Sequence, residues 1–199
     1  MDFNLKKIAS FDPASQKNIG WSLCEVLCKD GKFDITRCVA DTFVMDEYDN
    51  RWACYWPMFQ KIEQFLSENK PDILIMEKTS VFAGGFVTGQ VAQCMGAIFV
   101  AAGKYGIKDI VFVYPTSVKK TVAGHGKSTK SQIKRAVNYL TKSFECGQSK
   151  LSSDHAYDAV ANILFYLIEE KYIDPLTSFP WLTAKQLKTR KNNGKVKKT

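Results

Sequence analysis

The sequence predicts one α/β domain in which helices cover a mixed sheet. Three observations carry this reading. The N-terminal quarter holds three strand-like runs in succession, two of them joined by a hairpin signal. The middle alternates segments of helical period with short, continuous apolar runs. The last third is helical in period, with capping residues before each segment. Strands first, then helix–strand–helix–strand–helix, is the order of a mixed sheet with helices packed on it.

Ile8-Ala9-Ser10-Phe11-Asp12 is an apolar run ending in a carboxylate, followed by turn-like residues 13–18. Ile19 to Leu27 and Phe33 to Val44 are apolar and rich in β-branched residues, and Lys29-Asp30-Gly31 between them reads as a hairpin tip. Trp52, Tyr55, Trp56, Phe59, Ile62, Phe65 and Leu66 recur at helical spacing and predict a helix over 50–68, its aromatic stripe serving as core. Pro71 ends it. Asp72-Ile73-Leu74-Ile75-Met76-Glu77 has the unbroken apolar character of a central strand and again ends in an acid. Residues 83–89 read as a loop, and 90–104 as a helix of small residues suited to close packing on the sheet or on a partner subunit. Ile110 to Tyr114 is a further strand, stopped by Pro115. Helices follow over 118–123, capped by Ser117, over 129–143, capped by Ser128, and over 153–170, capped by Ser152 or Ser153. Beyond about 175, prolines and lysines predict a docked segment and then a partly disordered tail.

Length and composition agree with one domain. The 199 residues fall within the usual size of a single unit, and 45% hydrophobic with 24% charged residues excludes a disordered chain, a collagen and a coiled coil. No apolar run reaches the roughly 18 residues of a membrane span. The N-terminus lacks a signal-peptide layout. The six cysteines, 24, 28, 38, 54, 94 and 146, form no CxxC pair and read as free thiols in a reducing compartment. With only two histidines, a structural zinc site is not expected.

Charge is unevenly placed. The formal net charge of +8 comes from 28 cations and 20 acids. Residues 185–199 hold seven cations and no acid, and residues 110–144 hold another seven and no acid. The rest of the chain then has 14 cations against 20 acids, a net of −6. An acidic body with two basic blocks points to a polyanionic partner.

The acids suggest what the body does. Asp12 and Glu77 both end apolar strands, where a carboxylate needs a partner. In Asp154-His155-Ala156-Tyr157-Asp158, helical spacing puts Asp158 under both His155 and Asp154. Acids converging on one sheet edge repel one another, and a divalent cation relieves this. Oxygen-rich donors favour Mg²⁺ or Mn²⁺, the ions of phosphodiester hydrolysis. Either His155 or Asp154 can complete the set. The stretch from Tyr114 to Gln132 adds two capped helices around Gly124-His125-Gly126, and its helix starts and lysines suit phosphates. Its glycine and lysine spacing is not that of a Walker loop.

Four motifs together resemble a known family. They are Phe11-Asp12-Pro13-Ala14-Ser15 with Gly20-Trp21, then Ile75-Met76-Glu77, then Pro115-Thr116 through Val118-Lys119-Lys120, Gly124, Gly126, Lys130 and Gln132, and finally His155-Ala156-x-Asp158-Ala159-x-Ala161. In this order, over about residues 5–170, they resemble RuvC, the Holliday-junction resolvase. The resemblance implies an RNase H-like fold with a five-stranded sheet, a homodimer, and Mg²⁺-dependent nicking of four-way DNA junctions, with Mn²⁺ as a substitute and 5′-phosphate products. It implies metal and catalytic roles for Asp12, Glu77, His155 and Asp158, and DNA-binding roles for Lys119 and Lys130, with Lys120 and Lys127 on the same basic element. A nuclease domain over 1–175 and a basic extension over 176–199 follow, in the cytoplasm of a bacterial or viral setting or in an organelle matrix.

The sequence departs from the family pattern at Ser80, where an aromatic residue is typical of the loop that enters the junction, and at Ala14, where glycine is common. Phe82 is the candidate for base stacking in place of that aromatic. Two other readings compete: a broader branched-DNA nuclease, and a non-catalytic junction-binding protein, against which the intact acid set argues.

Overall fold

A computed structural model describes residues 4–13, 17–29, 32–46, 50, 53–78, 85–141 and 151–173. The expected disordered tail, the hairpin tip at 30–31, Phe82 and Ser80 lie outside these residues. Among the described residues there are five strands, β1 (Asn4–Pro13), β2 (Asn18–Lys29), β3 (Lys32–Val44), β4 (Ile73–Glu77) and β5 (Asp109–Val113). The helices are α1 (Tyr55–Asn69), α2 (Gly85–Lys104), α3 (Pro115–Ala123), α4 (Lys130–Thr141) and α5 (Asp154–Glu169). The sheet order is β3-β2-β1-β4-β5. β1 pairs antiparallel with β2, and β2 with β3, while β1–β4 and β4–β5 are parallel. This is the mixed sheet the sequence predicts.

Strand alternation sorts the side chains into two layers. On β1 and β4, Ile8, Ile73 and Ile75 face a core shared with Val118, Val122, Ile133, Val137 and the apolar face of α5. Ala9, Phe11, Leu74 and Met76 face the other core, with Met58, Ile62 and Leu66 of α1 and Cys94 and Ile98 of α2. Phe11 meets Phe65 edge-on, with ring centroids 5.4 Å apart. The period of two therefore sends Asp12, two residues after Ser10, toward α5 rather than toward α1. No helix among the described residues is long and apolar enough to cross a membrane.

Several boundaries differ from expectation. α1 starts at Tyr55 rather than 50, because Pro57 is tolerated only within a first helical turn. Within its stripe Ile62, Phe65 and Leu66 are buried and Tyr55 and Phe59 pack against the same core, but Trp56 is 65% exposed and stacks on Phe59; Trp52 lies outside the described residues. α2 begins at Gly85, so residues 85–89 are helical rather than loop. The apolar spacing Val87-Val91-Cys94-Ile98 carries the helical repeat back through glycines that each cost only about 1 kcal/mol. α3 begins at Pro115, which occupies the first helical position instead of ending the preceding strand alone, so Ser117 is not its cap. α4 is capped by Thr129, not Ser128. The Thr129 amide donates to Gln132 Oε1 at 2.8 Å, and the Gln132 amide donates to Thr129 Oγ1 at 3.4 Å. Ser128 is buried and donates instead to the His125 carbonyl.

Candidate active site

Three elements bring the acids together. β1 delivers Asp12, 8% exposed, at the C-terminal edge of the sheet. One residue past the last registered β1–β4 pair, Phe11–Met76, the neighbouring strand delivers Glu77. α5 delivers His155 and Asp158 from above. Donor atoms of Asp12, His155 and Asp158 all lie within 4.8 Å of one another, a group that could hold a metal ion. Glu77 stands outside this compact trio but within electrostatic reach of both aspartates.

The position of α5 has an identifiable cause. Gly20 lies opposite Asp12 in the β1–β2 register, and a Cβ there would come within 2.1 Å of the His155 carbonyl oxygen. The helix start thus rests directly on the backbone of β2. Ser153 caps α5 by accepting from the Ala156 amide at 3.1 Å. The Ser153 hydroxyl also bonds the Thr42 hydroxyl, and the Ser152 hydroxyl donates to Asp41 Oδ1, tying the helix start to β3. On the far side, the Tyr157 hydroxyl donates to Asn138 Oδ1 at 3.1 Å and fastens α5 to α4.

His155 turns its Nδ1 toward Asp12 Oδ2, 3.1 Å away. The hydrogen bond to Asp12 raises the histidine's pKa above its ordinary value, against the opposing effect of burial. Burial, then the Asp12 charge, pushes the Asp158 carboxyl up to about 6. Burial, then the charges of Asp12 and Asp158, pushes Glu77 up to about 8. Lys119 of α3 pulls both down, and Lys130 of α4 pulls down Asp158 and His155, so the two lysines and the acids share one electrostatic field. Lys120 follows Lys119 on α3, and Lys127 sits in the α3–α4 turn with its amide donating to His125 Nδ1 at 3.0 Å.

Asp154, the other candidate for the fourth position, is turned away from the trio. Its Oδ2 lies 3.2 Å from Lys130 Nζ, and its Oδ1 lies 2.5 Å from Lys134 Nζ. Gly20 and the Ser152–Asp41 and Ser153–Thr42 bonds were not legible as site-building features, because their effect depends on which strand the helix start lands on. The register of Gly20 against Asp12 in a paired strand was the one available signal.

A site of partly buried carboxylates that resist ionisation is chemically suited to a hard dication, which supplies the missing positive charge. Two expectations follow for the metal-free protein. Asp158, Glu77 and His155 all have folded-state pKa values above their ordinary ones, so the fold favours their protonated forms. Their contribution to stability is complete below about pH 4, and that of the two carboxyls is lost as pH rises through about 6 and then about 8. In EDTA, the Tm of Glu77→Gln at pH 8 should exceed that of the wild type by an amount equivalent to up to about 3 kcal/mol, with a flatter fall between pH 5.5 and 8.5. Thermal melts across that range check this, and an unchanged slope would contradict it. Gly20→Ala should force α5 off β2 at a cost of about 1–3 kcal/mol. It should also weaken Mn²⁺ binding at the trio, measured by calorimetry alongside the melt.

Residues 8–165 match the family model described as "Crossover junction endodeoxyribonuclease RuvC". The chain is 29% identical over 167 residues to the protein of that name from Rickettsia prowazekii (strain Madrid E), covering 83% of this chain and 99% of the relative. The Thermus thermophilus RuvC structure superposes with a TM-score of 0.66 at 18% identity, covering 83% of this chain and 95% of the other. The T. thermophilus RuvC solved in complex with Holliday junction substrate gives 0.65 at 18% identity, with the same coverage. The fold is therefore that of the RuvC-type, RNase H-like resolvases, and the chain belongs to the crossover junction endodeoxyribonuclease RuvC family.

Proposed function

We propose that this protein is a metal-dependent endodeoxyribonuclease that resolves four-way (Holliday) junctions by paired nicks in recombination and repair. The observation that carries the reading is the acidic edge. Asp12, His155 and Asp158 converge within 4.8 Å, Glu77 adds its charge from the next strand, and Lys119 and Lys130 approach from two helices. Acids alone would repel a DNA backbone. Lysines beside them can hold a phosphate while the acids face the phosphorus.

Asp12, Glu77, His155 and Asp158 would hold Mg²⁺, with Mn²⁺ as a substitute. When bound, such an ion makes a water more acidic and offsets the charge that develops on the phosphodiester. Lys119 and Lys130 orient the scissile phosphate, and Lys120 and Lys127 extend the same cationic surface along the backbone. His155, whose Nδ1 lies 3.1 Å from Asp12 Oδ2, serves either as a ligand of the ion or to position the attacking water. Water attacks phosphorus and the P–O3′ bond breaks, leaving a 3′-hydroxyl and a 5′-phosphate. Phe82, in the sequence segment after Glu77, is assigned to base stacking. We assign residues 1–175 to the nuclease domain and 176–199 to a basic extension that adds non-specific affinity for DNA in the cytoplasm.

Paired nicks on opposing strands need two sites related by a two-fold axis, which a homodimer supplies. The exposed side of α2 and the edge strand β5 support self-association there. Val100 is 65% exposed and Phe112 45%, and Phe99 meets Phe112 edge-on at 5.9 Å. Val100→Glu should shift the protein toward monomer in sedimentation and leave single, unpaired nicks. A variant that stays dimeric would move the interface elsewhere.

The central test is cleavage of a four-way junction with Mg²⁺ against EDTA, with linear duplex as control. Asp12→Asn and Asp158→Asn should each lower the rate by at least about 10³-fold and keep junction affinity within a few-fold, because neither removes a phosphate contact. His155→Ala should lose most of the activity and His155→Asp recover part of it. Mg²⁺-dependent nicking by Asp12→Asn near the wild-type rate would overturn the assignment.

A further inference from the structure

Asp154 stands at the first position of α5, next to His155, yet faces away from the metal trio. Each of its carboxylate oxygens has its own cation, Oδ2 toward Lys130 at 3.2 Å and Oδ1 toward Lys134 at 2.5 Å. Lys130 and Lys134 are four residues apart on α4 and so share one face, where their like charges repel. Lys134 is also held from the other side, its ammonium 5.4 Å from the centre of the Tyr157 ring. Tyr157 in turn is buried and bonded to Asn138 of α4. One end of the bridge is therefore anchored, and the free oxygen of Asp154 is aimed at Lys130.

We propose that Asp154 is a positioning residue that holds Lys130 over the edge of the acidic site, so that its ammonium meets the scissile phosphate instead of extending into solvent. The proposal rests on the nuclease reading above. Three bland roles fit less well. Asp154 is not a fourth metal ligand, because both of its oxygens are committed to lysines and the metal-capable group consists of Asp12, His155 and Asp158. A stability role is small, because the three side chains are 38–61% exposed and ion pairs this open contribute little to folding. Service to the helix dipole alone does not account for a two-pronged bridge to a different helix. The bridge does account for the field at the site, since the Lys130 charge reaches both His155 and Asp158. A carboxylate shared between two lysines also leaves the pair with net positive charge, so the phosphate is attracted to the spot where Lys130 is held.

The test is a double-mutant cycle on a four-way junction with Mg²⁺, measured as single-turnover cleavage rate, junction Kd and Tm. Asp154→Asn should slow cleavage about tenfold with Kd changed less than about threefold and Tm unmoved. Asp154→Glu, which keeps the charge, should recover most of the rate. In a Lys130→Ala background, Asp154→Asn should add less than about a twofold loss, because the group it positions is gone. Wild-type cleavage by Asp154→Asn would overturn the proposal. So would losses that multiply with those of Lys130→Ala. An Asp154→Asn protein that loses Mn²⁺ affinity as Asp158→Asn does would overturn it as well, and make Asp154 a ligand. Asp158→Asn run in parallel separates the two levels: if it cleaves like the wild type, the nuclease reading itself falls, whatever Asp154 does.

Discussion

The site depends on one close approach, the seat of the α5 start on β2 at Gly20. A methyl group there would lie 2.1 Å from the His155 carbonyl, so no other L-residue fits without moving the helix. Gly20 faces Asp12 across the β1–β2 ladder. The same contact that seats the helix therefore sets the separation between the strand-borne and helix-borne donors. The Ser152–Asp41 and Ser153–Thr42 bonds fix the lateral position of the helix start, and the Tyr157–Asn138 bond holds its other flank. Donors on separate elements would otherwise drift by the ångström that such chemistry does not tolerate.

That geometry is electrostatically costly. Burial, and then the gathering of Asp12, Asp158 and Glu77 at one edge, raises two carboxyls to about 6 and about 8, so near neutral pH the metal-free site retains a proton on Glu77. Lys119 and Lys130 offset part of the repulsion, each from a different helix. Cations thus serve two ends here. They stabilise the cluster of acids, and in the proposed reaction they would face the substrate whose charge those acids would repel.

Much of the fold was legible because the periods were clean. The apolar runs of β1 and β4, each ending in an acid, put Asp12 and Glu77 at strand ends, and the spacing of His155 and Asp158 put them on one helix face. What failed was local competition between signals. Pro115 read as a strand stop, although the same ring geometry suits a first helical residue, and Ser128 read as a cap although its neighbour Thr129 had Gln132 at the reciprocal position. Residues 85–89 read as a loop on glycine content, when the apolar repeat of α2 already ran through them. The separation of His155 from Asp154 was not readable at all from helix spacing, because both share a face with Asp158. The difference lies in what stands opposite: Asp12 across from one, and two lysines of α4 across from the other.

That last distinction shows how one helix turn serves two purposes. α5 meets the sheet on one flank and α4 on the other, and successive residues at its start, about 100° apart, fall on different sides. His155 is carried toward β1 and joins the acids, while Asp154 is carried toward α4 and joins the lysines. A single rigid element, seated on Gly20, therefore couples the position of the metal-capable trio to the position of Lys130. A shift of the α5 start would displace both sets at once. That is why the close approach at Gly20, rather than any one of the acids, governs how the site is assembled.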